Sequence, residues 1–215
     1  MKTAEVERQN TYDVLIRNVL GSRYERVIIT NLQIREYDLD NLNGQTHVEF
    51  DLTVTGRKFP CHVSVYGDGA VSCLFQGLAG PLGLRFRSLK RLSLNKFSTR
   101  VHAKTTKGGF RGIAADERIG VEISIRCDTR KLPVHFEHTS RSIVRSSICV
   151  VAQAFEMFIN AESAMLVLHD SLANYRKRNR HDLVQSTSLE MGKLVELMHY
   201  SDIIETHRKE SAVLK

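Results

Sequence analysis

The sequence predicts an α+β fold made of two β-β-β-α units in tandem, followed by extra C-terminal helices. Three observations predict it. Residues 48–74 laid without gaps over 121–147 give seven identities in 27 positions, the clearest being RKFPCH against RKLPVH. The hydrophobic period changes from 2 to 3.6 at the same place in each copy. A chain of 215 residues, 42% hydrophobic and 26% charged, has enough apolar material for a core. It is too short for a (β/α)8 barrel of about 250 residues plus anything else.

Each element follows from local pattern. Residues 5–20, with Val14, Leu15 and Val19, predict a short helix, and 26–34 (RVIITNLQI) a first strand. In VEFDLTV, Val48, Phe50, Leu52 and Val54 share one strand face, as do Ile119, Val121, Ile123 and Ile125 in IGVEISI. Thr55-Gly56 and Asp128-Thr129 supply turns, and the strands FPCHVSV and LPVHFEH follow, each with a proline near its start. Residues 94–104 predict the first strand of the second copy. The shared pairs Arg57-Lys58 and Arg130-Lys131 are expected at equivalent exposed corners.

The helices follow the strands. Gly67-Asp68-Gly69 opens a helix bearing Val71, Leu74, Phe75 and Leu78, which Gly80-Pro81 should end. In copy two Thr139 or Ser140 is the expected N-cap of a helix running to about Asn160. Two more helices are expected, at 163–178 and at 188 to about 208. The expected divisions are 1–25, a helical N-terminal extension; 26–160, the repeat; and 161–215, a helical C-terminal extension.

The net charge is +7, and no Asp or Glu occurs from Gly69 to Ala115, where Arg85, Arg87, Lys90, Arg91, Lys96, Arg100, Lys104, Lys107 and Arg111 fall. A second basic run is Arg176-Lys177-Arg178-Asn179-Arg180. Aromatics are scarce in both and no nucleic-acid motif accompanies them, so nucleic acid is not the expected partner. Solvated faces, an anionic small ligand or a subunit contact fit better. Cys61, Cys73, Cys127 and Cys149 form no C-x-x-C pair, which predicts reduced, buried thiols. With no signal-like apolar run and no stretch of about 18 apolar residues, a cytoplasmic chain away from membranes is expected.

The order of these motifs resembles the C-terminal regulatory domain of alpha-isopropylmalate synthase and citramalate synthase. There a third strand runs into a G-[DNS]-G-P-x-x-A helix start, read here as Gly67-Asp68-Gly69-Ala70-Val71-Ser72-Cys73. Val101 and Ala103, the turn Thr106-Lys107-Gly108-Gly109, Ala114-Ala115-Asp116 and the helix SSICVVAQAFEMFIN match the second unit. The resemblance covers about residues 26–160. It implies two units related by a pseudo-twofold axis, a homodimer, and feedback binding of leucine or isoleucine, as in leucine biosynthesis. Carried over by position, the ligand-binding residues are Gly67, Gly69, Ser72, Thr99, Ala103 and Ala115. Ala70 replaces the family's proline and Thr99 its aromatic, and residues 107–113 lengthen the second hairpin, which puts leucine specificity in question.

The catalytic barrel of those synthases has an H-x-H metal pair, and no H-x-H occurs here. His135 and His138 fall on opposite faces of a strand. G-x-S-x-G, P-loop and paired-carboxylate patterns are missing too. No cofactor, no metal and no enzymatic activity are expected. The expected function is therefore an allosteric, ligand-binding module acting as a homodimer, on a branched-chain amino acid or related small carboxylate, or serving a separately encoded synthase. The alternatives are an interaction or scaffold protein that kept the dimer fold without ligand, and, further off, a basic nucleic-acid binder.

Overall fold

The computed structural model describes residues 2–37, 44–56, 60–102, 118–128 and 133–213. Its elements are α1 (Lys2–Leu20), β1 (Val27–Tyr37), β2 (Gln45–Val54), β3 (Cys61–Gly67), α2 (Ala70–Gly83), β4 (Leu92–His102), β5 (Arg118–Cys127), β6 (Val134–Ser140), α3 (Ile143–Lys177), α4 (His181–Val195) and α5 (Ser201–Val213). Two antiparallel three-stranded sheets, β1-β2-β3 and β4-β5-β6, each lead into a helix. The fold is α+β, two pseudo-twofold-related β-β-β-α units with additional helices.

Strand register makes the repeat quantitative. Thr46 faces Gly67 and Leu52 faces Cys61, while Ile119 faces Ser140 and Ile125 faces Val134. All four partners shift by the same 73 residues (46 to 119, 67 to 140), and so do the helix starts (70 to 143). Each first strand carries a one-residue bulge, between Thr30 and Gln33 and between Leu94 and Lys96. An asparagine occupies both. Asn31, at a φ of 53°, donates to Asp51 at 2.6 Å, and Asn95 donates to Ser124 at 3.2 Å, the residue 73 positions on from Asp51. A short polar side chain tolerates the left-handed region and can bond locally, which explains its choice at a bulge. The solvent face repeats an ion pair as well, Arg35 with Glu49 at 3.7 Å and Arg100 with Glu122 at 3.4 Å.

Helix α2 covers β2 and β3, α3 covers β5 and β6, and the two helices touch. Phe75 meets Phe155 edge-on at 5.1 Å between ring centroids. Val48, Phe50 and Leu52 from one sheet and Val121, Ile123 and Ile125 from the other are fully buried in one continuous core. Alternation on β2 and β5 put them there. Helix α1 adds Tyr12, Ile16 and Leu20, a stripe at i, i+4, i+8 that packs on α3.

The helical half departs from expectation in four places. One helix of 35 residues, α3, replaces the two expected on either side of residue 160. Its side chains serve as clamps: Asn160 Oδ1 accepts the Glu25 amide at 2.8 Å and Nδ2 donates to the Glu25 carbonyl at 2.7 Å, while Glu156 accepts the Val27 amide at 2.9 Å. Its N-cap is Ser142, whose hydroxyl accepts the Arg145 amide, because β6 runs on to place Ser140 opposite Ile119. Helix α2 continues through Pro81 to Gly83, burying Leu82 completely. A fully buried leucine contributes about 1.5–3 kcal/mol, comparable to the about 3 kcal/mol an internal proline costs. The expected single helix at 188–208 is α4 and α5, with Leu197, Met198 and Tyr200 buried in the bend between them.

By length and composition α3 could cross a membrane, but here 61% of its apolar window is buried within the protein. The four cysteines are free thiols: Cys73 and Cys127 are buried as expected, whereas Cys61 and Cys149 are only half-buried. The pairs Arg57-Lys58 and Arg130-Lys131 lie outside the described residues.

Candidate functional site: a groove at the two helix starts

The first turns of α2 and α3 converge on one groove of about 420 Å³. Gly69, Ala70, Val71, Ser72 and Leu74 line it from α2, and Ile143, Val144 and Ser147 from α3. Ile34 on β1 and Leu94 and Phe97 on β4 complete the wall. Three pairs, Ala70/Ile143, Val71/Val144 and Leu74/Ser147, are 73-residue counterparts, so the groove straddles the pseudo-twofold relation. Its walls are almost wholly apolar. Phe97, Ile143 and Val144 in its wall remain 42–43% exposed, and Val101, farther along β4, is 51% exposed.

The helix starts differ in their chemistry. Ser142 caps α3, and Ser140 Oγ bonds the Ser142 amide and Ser146 Oγ, forming a closed hydroxyl network. The N-cap of α2 is Gly69, and no side chain caps that helix. Cys73 N bonds the Gly69 carbonyl at 2.9 Å as the first intrahelical bond. The preceding amides sit at the positive end of the helix dipole with no side-chain cap and no acidic residue in the first turn, beside a groove whose own surface is apolar.

The predicted site residues separate into three sets. Gly69 and Ser72 line the groove. Gly67 does not; it ends β3 under the helix, where an added Cβ would stand 3.0 Å from Cys73 Sγ, so its smallness serves helix-to-strand packing. Thr99 shares its strand face with Phe97, but Phe97 reaches the groove and Thr99 does not. Ala103 and Ala115 lie outside the described residues. Gly69 has a φ of 170°, ordinary extended backbone, and open space around an added Cβ, so no strain demands glycine there. Ile34, Phe97, Ile143, Val144 and Ser147 escaped the sequence reading. The repeat offset was the signal that could have found the last three, since it maps 70, 71 and 74 onto them.

Several basic residues hold the fold. Arg91 pairs with Asp202 and donates to the His199 carbonyl at 3.3 Å, Arg87 donates to Thr206 at 2.7 Å, and Arg180 pairs with Asp182 at 3.1 Å. Glu162 on α3 accepts the amides of Arg87 and Ser88, at 3.2 and 2.9 Å, and its burial pushes the carboxyl up. Lys104, Lys107 and Arg111 lie outside the described residues. Among the described residues no group of three His, Cys, Asp or Glu could hold a metal ion. The chain matches no protein-family model and no curated protein.

Proposed function

We propose that this chain is a non-catalytic regulatory module that binds a small carboxylate with a branched apolar body and works as a homodimer. One observation carries the reading: an uncapped helix start beside an apolar groove of about 420 Å³ that Gly69 and Ser72, ligand positions by the resemblance, both line. Free amides and the dipole suit a carboxylate, and the leucine, isoleucine, valine and phenylalanine walls suit an aliphatic side chain. Leucine, isoleucine and their 2-oxo acids are the first candidates. The exposed Phe97, Ile143 and Val144 in the groove wall, with Val101 farther along β4, give a second copy an apolar face to cover. A module of this kind would report to an enzyme carried on another chain, such as a separately encoded synthase.

A thermal-shift series over the standard amino acids and branched 2-oxo acids tests the ligand. A true ligand stabilises by about 2.7 kcal/mol at a hundredfold excess over Kd. The reading predicts a raised melting temperature with branched carboxylates and none with lysine. Flat melting curves throughout would sink it, and monomers by light scattering at tens of micromolar would remove the dimer.

A further inference from the structure

A second cleft, of about 550 Å³, lies on the far flank of copy two, between α1, α3 and the edge strand β6. We propose that it binds an organic cation, an amine or guanidine on an apolar body. The floor is Phe136 and Met157, 4% and 5% exposed. The lining is completed by Gln9, Asn10, Gln153, Tyr24 and Thr139 and by three acidic residues, Asp13, Glu137 and Glu156, with Glu137 and Thr139 on the strand face opposite Phe136. A volume in the range of ordinary ligand pockets, an apolar floor and a few convergent polar groups together describe a small-molecule site.

Charge decides the class of ligand. Arg17 is the single cation among the described lining residues, and it is already committed. Its Nε bonds Asp13 at 2.7 Å and its guanidinium lies 4.1 Å over the Tyr24 ring. Asp13 also accepts the Tyr24 hydroxyl at 3.3 Å, and burial raises that phenol to about 12, so Tyr24 stays neutral. The lining carboxylates thus outnumber its one cation; Asp13 is balanced by Arg17, and Glu156 also feels Arg26 from outside the lining, so the excess falls chiefly on Glu137. Glu156 is the more constrained of the two. One oxygen takes the Val27 amide at 2.9 Å, and burial disfavours its charged form. A cation beside Glu156 would favour its charged form, while the apolar body of the ligand would lie against the edges of Phe136 and Met157 that reach the cleft.

The repeat gives a built-in control. At the positions 73 residues earlier, Gln153 and Glu156 become Gly80 and Gly83, and Glu137 becomes Ser64. Copy one, with the same fold, carries neither glutamate. The polar lining is thus not a requirement of the β-β-β-α unit.

Phenethylamine is a suitable probe, with phenylethanol and phenylacetate as neutral and anionic controls, titrated into the full chain by calorimetry or NMR. The expected order is amine tighter than alcohol by at least about tenfold in Kd, with no binding of the acid. Glu156→Gln keeps an oxygen for the Val27 amide and removes the charge, so amine affinity should fall about tenfold while alcohol binding stays level. Glu137→Gln, on the exposed side of β6, gives the same test if the first variant folds poorly. Equal affinity for amine and alcohol, or unchanged amine binding in the folded Gln variants, would overturn the proposal.

Discussion

The two copies of the repeat share register and bulges but differ in how they use glycine. Copy one has Gly67, Gly69 and Gly77 where copy two, 73 residues on, has Ser140, Ser142 and Val150. In copy two these side chains close gaps. Val150 is fully buried, Ser142 caps α3, and Ser140 bonds Ser146, whose hydroxyl donates to the Ile119 carbonyl at 3.0 Å. In copy one the matching helix-to-strand bond runs from Cys73 Sγ to the Thr46 carbonyl at 3.4 Å, and the cap position is empty of side chain. One copy is sealed at its helix start and the other is left open. The β-β-β-α fold does not itself require the difference, and the uncapped start is the feature on which the proposed carboxylate site rests.

Grafting copy two's residues onto copy one should break this difference stepwise. The largest effect is expected at Gly77, where an added Cβ would lie 2.9 Å from Val63 and 3.0 Å from the Phe50 ring. Gly77→Val should destabilise by about 1–3 kcal/mol in urea titrations, the usual penalty of overpacking. Copy two buries Val150 completely and carries Ile123 at the position of Phe50, so adding Phe50→Ile should return much of that loss, though the Val63 contact stays. If the double variant is worse than the single one, the copies do not pack equivalently.

Helix α3 carries a second asymmetry, since it outruns α2 and its extra length clamps the chain entering copy two through Glu162. Glu162→Gln leaves one buried amide without an acceptor, a loss of about 1–3 kcal/mol. The pH dependence has a definite sign. Burial raises this carboxyl above 4.5, so the folded state holds its proton where the unfolded state has lost it. Wild-type stability should fall as pH rises from about 4.5 through the raised value and level off beyond. Glu156, raised by burial in the same way, adds to that slope, so Glu162→Gln should flatten it only in part.

A smaller change is expected at the helix-to-strand bond. Gly67→Ser alone crowds Cys73 Sγ, whereas Gly67→Ser with Cys73→Ser rebuilds the Ser140–Ser146 pair. The double variant should be more stable than Gly67→Ser by about 0.5–1.5 kcal/mol, the worth of one net hydrogen bond, read as a shift in urea midpoint. No such gain would mean the two helix starts are held differently.

Much of this was legible in the sequence, for reasons visible residue by residue. Alternation in VEFDLTV and IGVEISI fixed which faces are buried, and the shared proline and histidine fixed the offset. The first strands were harder to align. They match at an offset of 65 (27 to 92) rather than 73, and their bulges rest on single asparagines in segments of different composition. Asn160 reads as a helix stop because its side chain competes with backbone bonds, yet here that capacity clamps Glu25 while α3 continues. Of the candidate site, Gly69 and Ser72 came from motif position. Phe97 could not have, because which residue of β4 reaches the groove depends on the bulge at Asn95.

The most direct test is at the open cap. Gly69→Ser gives α2 the serine that copy two has at 142, and should stabilise by only a few tenths of a kcal/mol. Its hydroxyl would compete for the amides that a carboxylate should use. Leucine and 4-methyl-2-oxopentanoate titrated against backbone amide resonances should shift Val71 and Ser72 most in the wild type, leave Arg145, whose amide Ser142 already holds, nearly still, and lose most of this effect in Gly69→Ser. Unmoved resonances at 71 and 72, or identical titrations of the wild type and Gly69→Ser, would contradict the account.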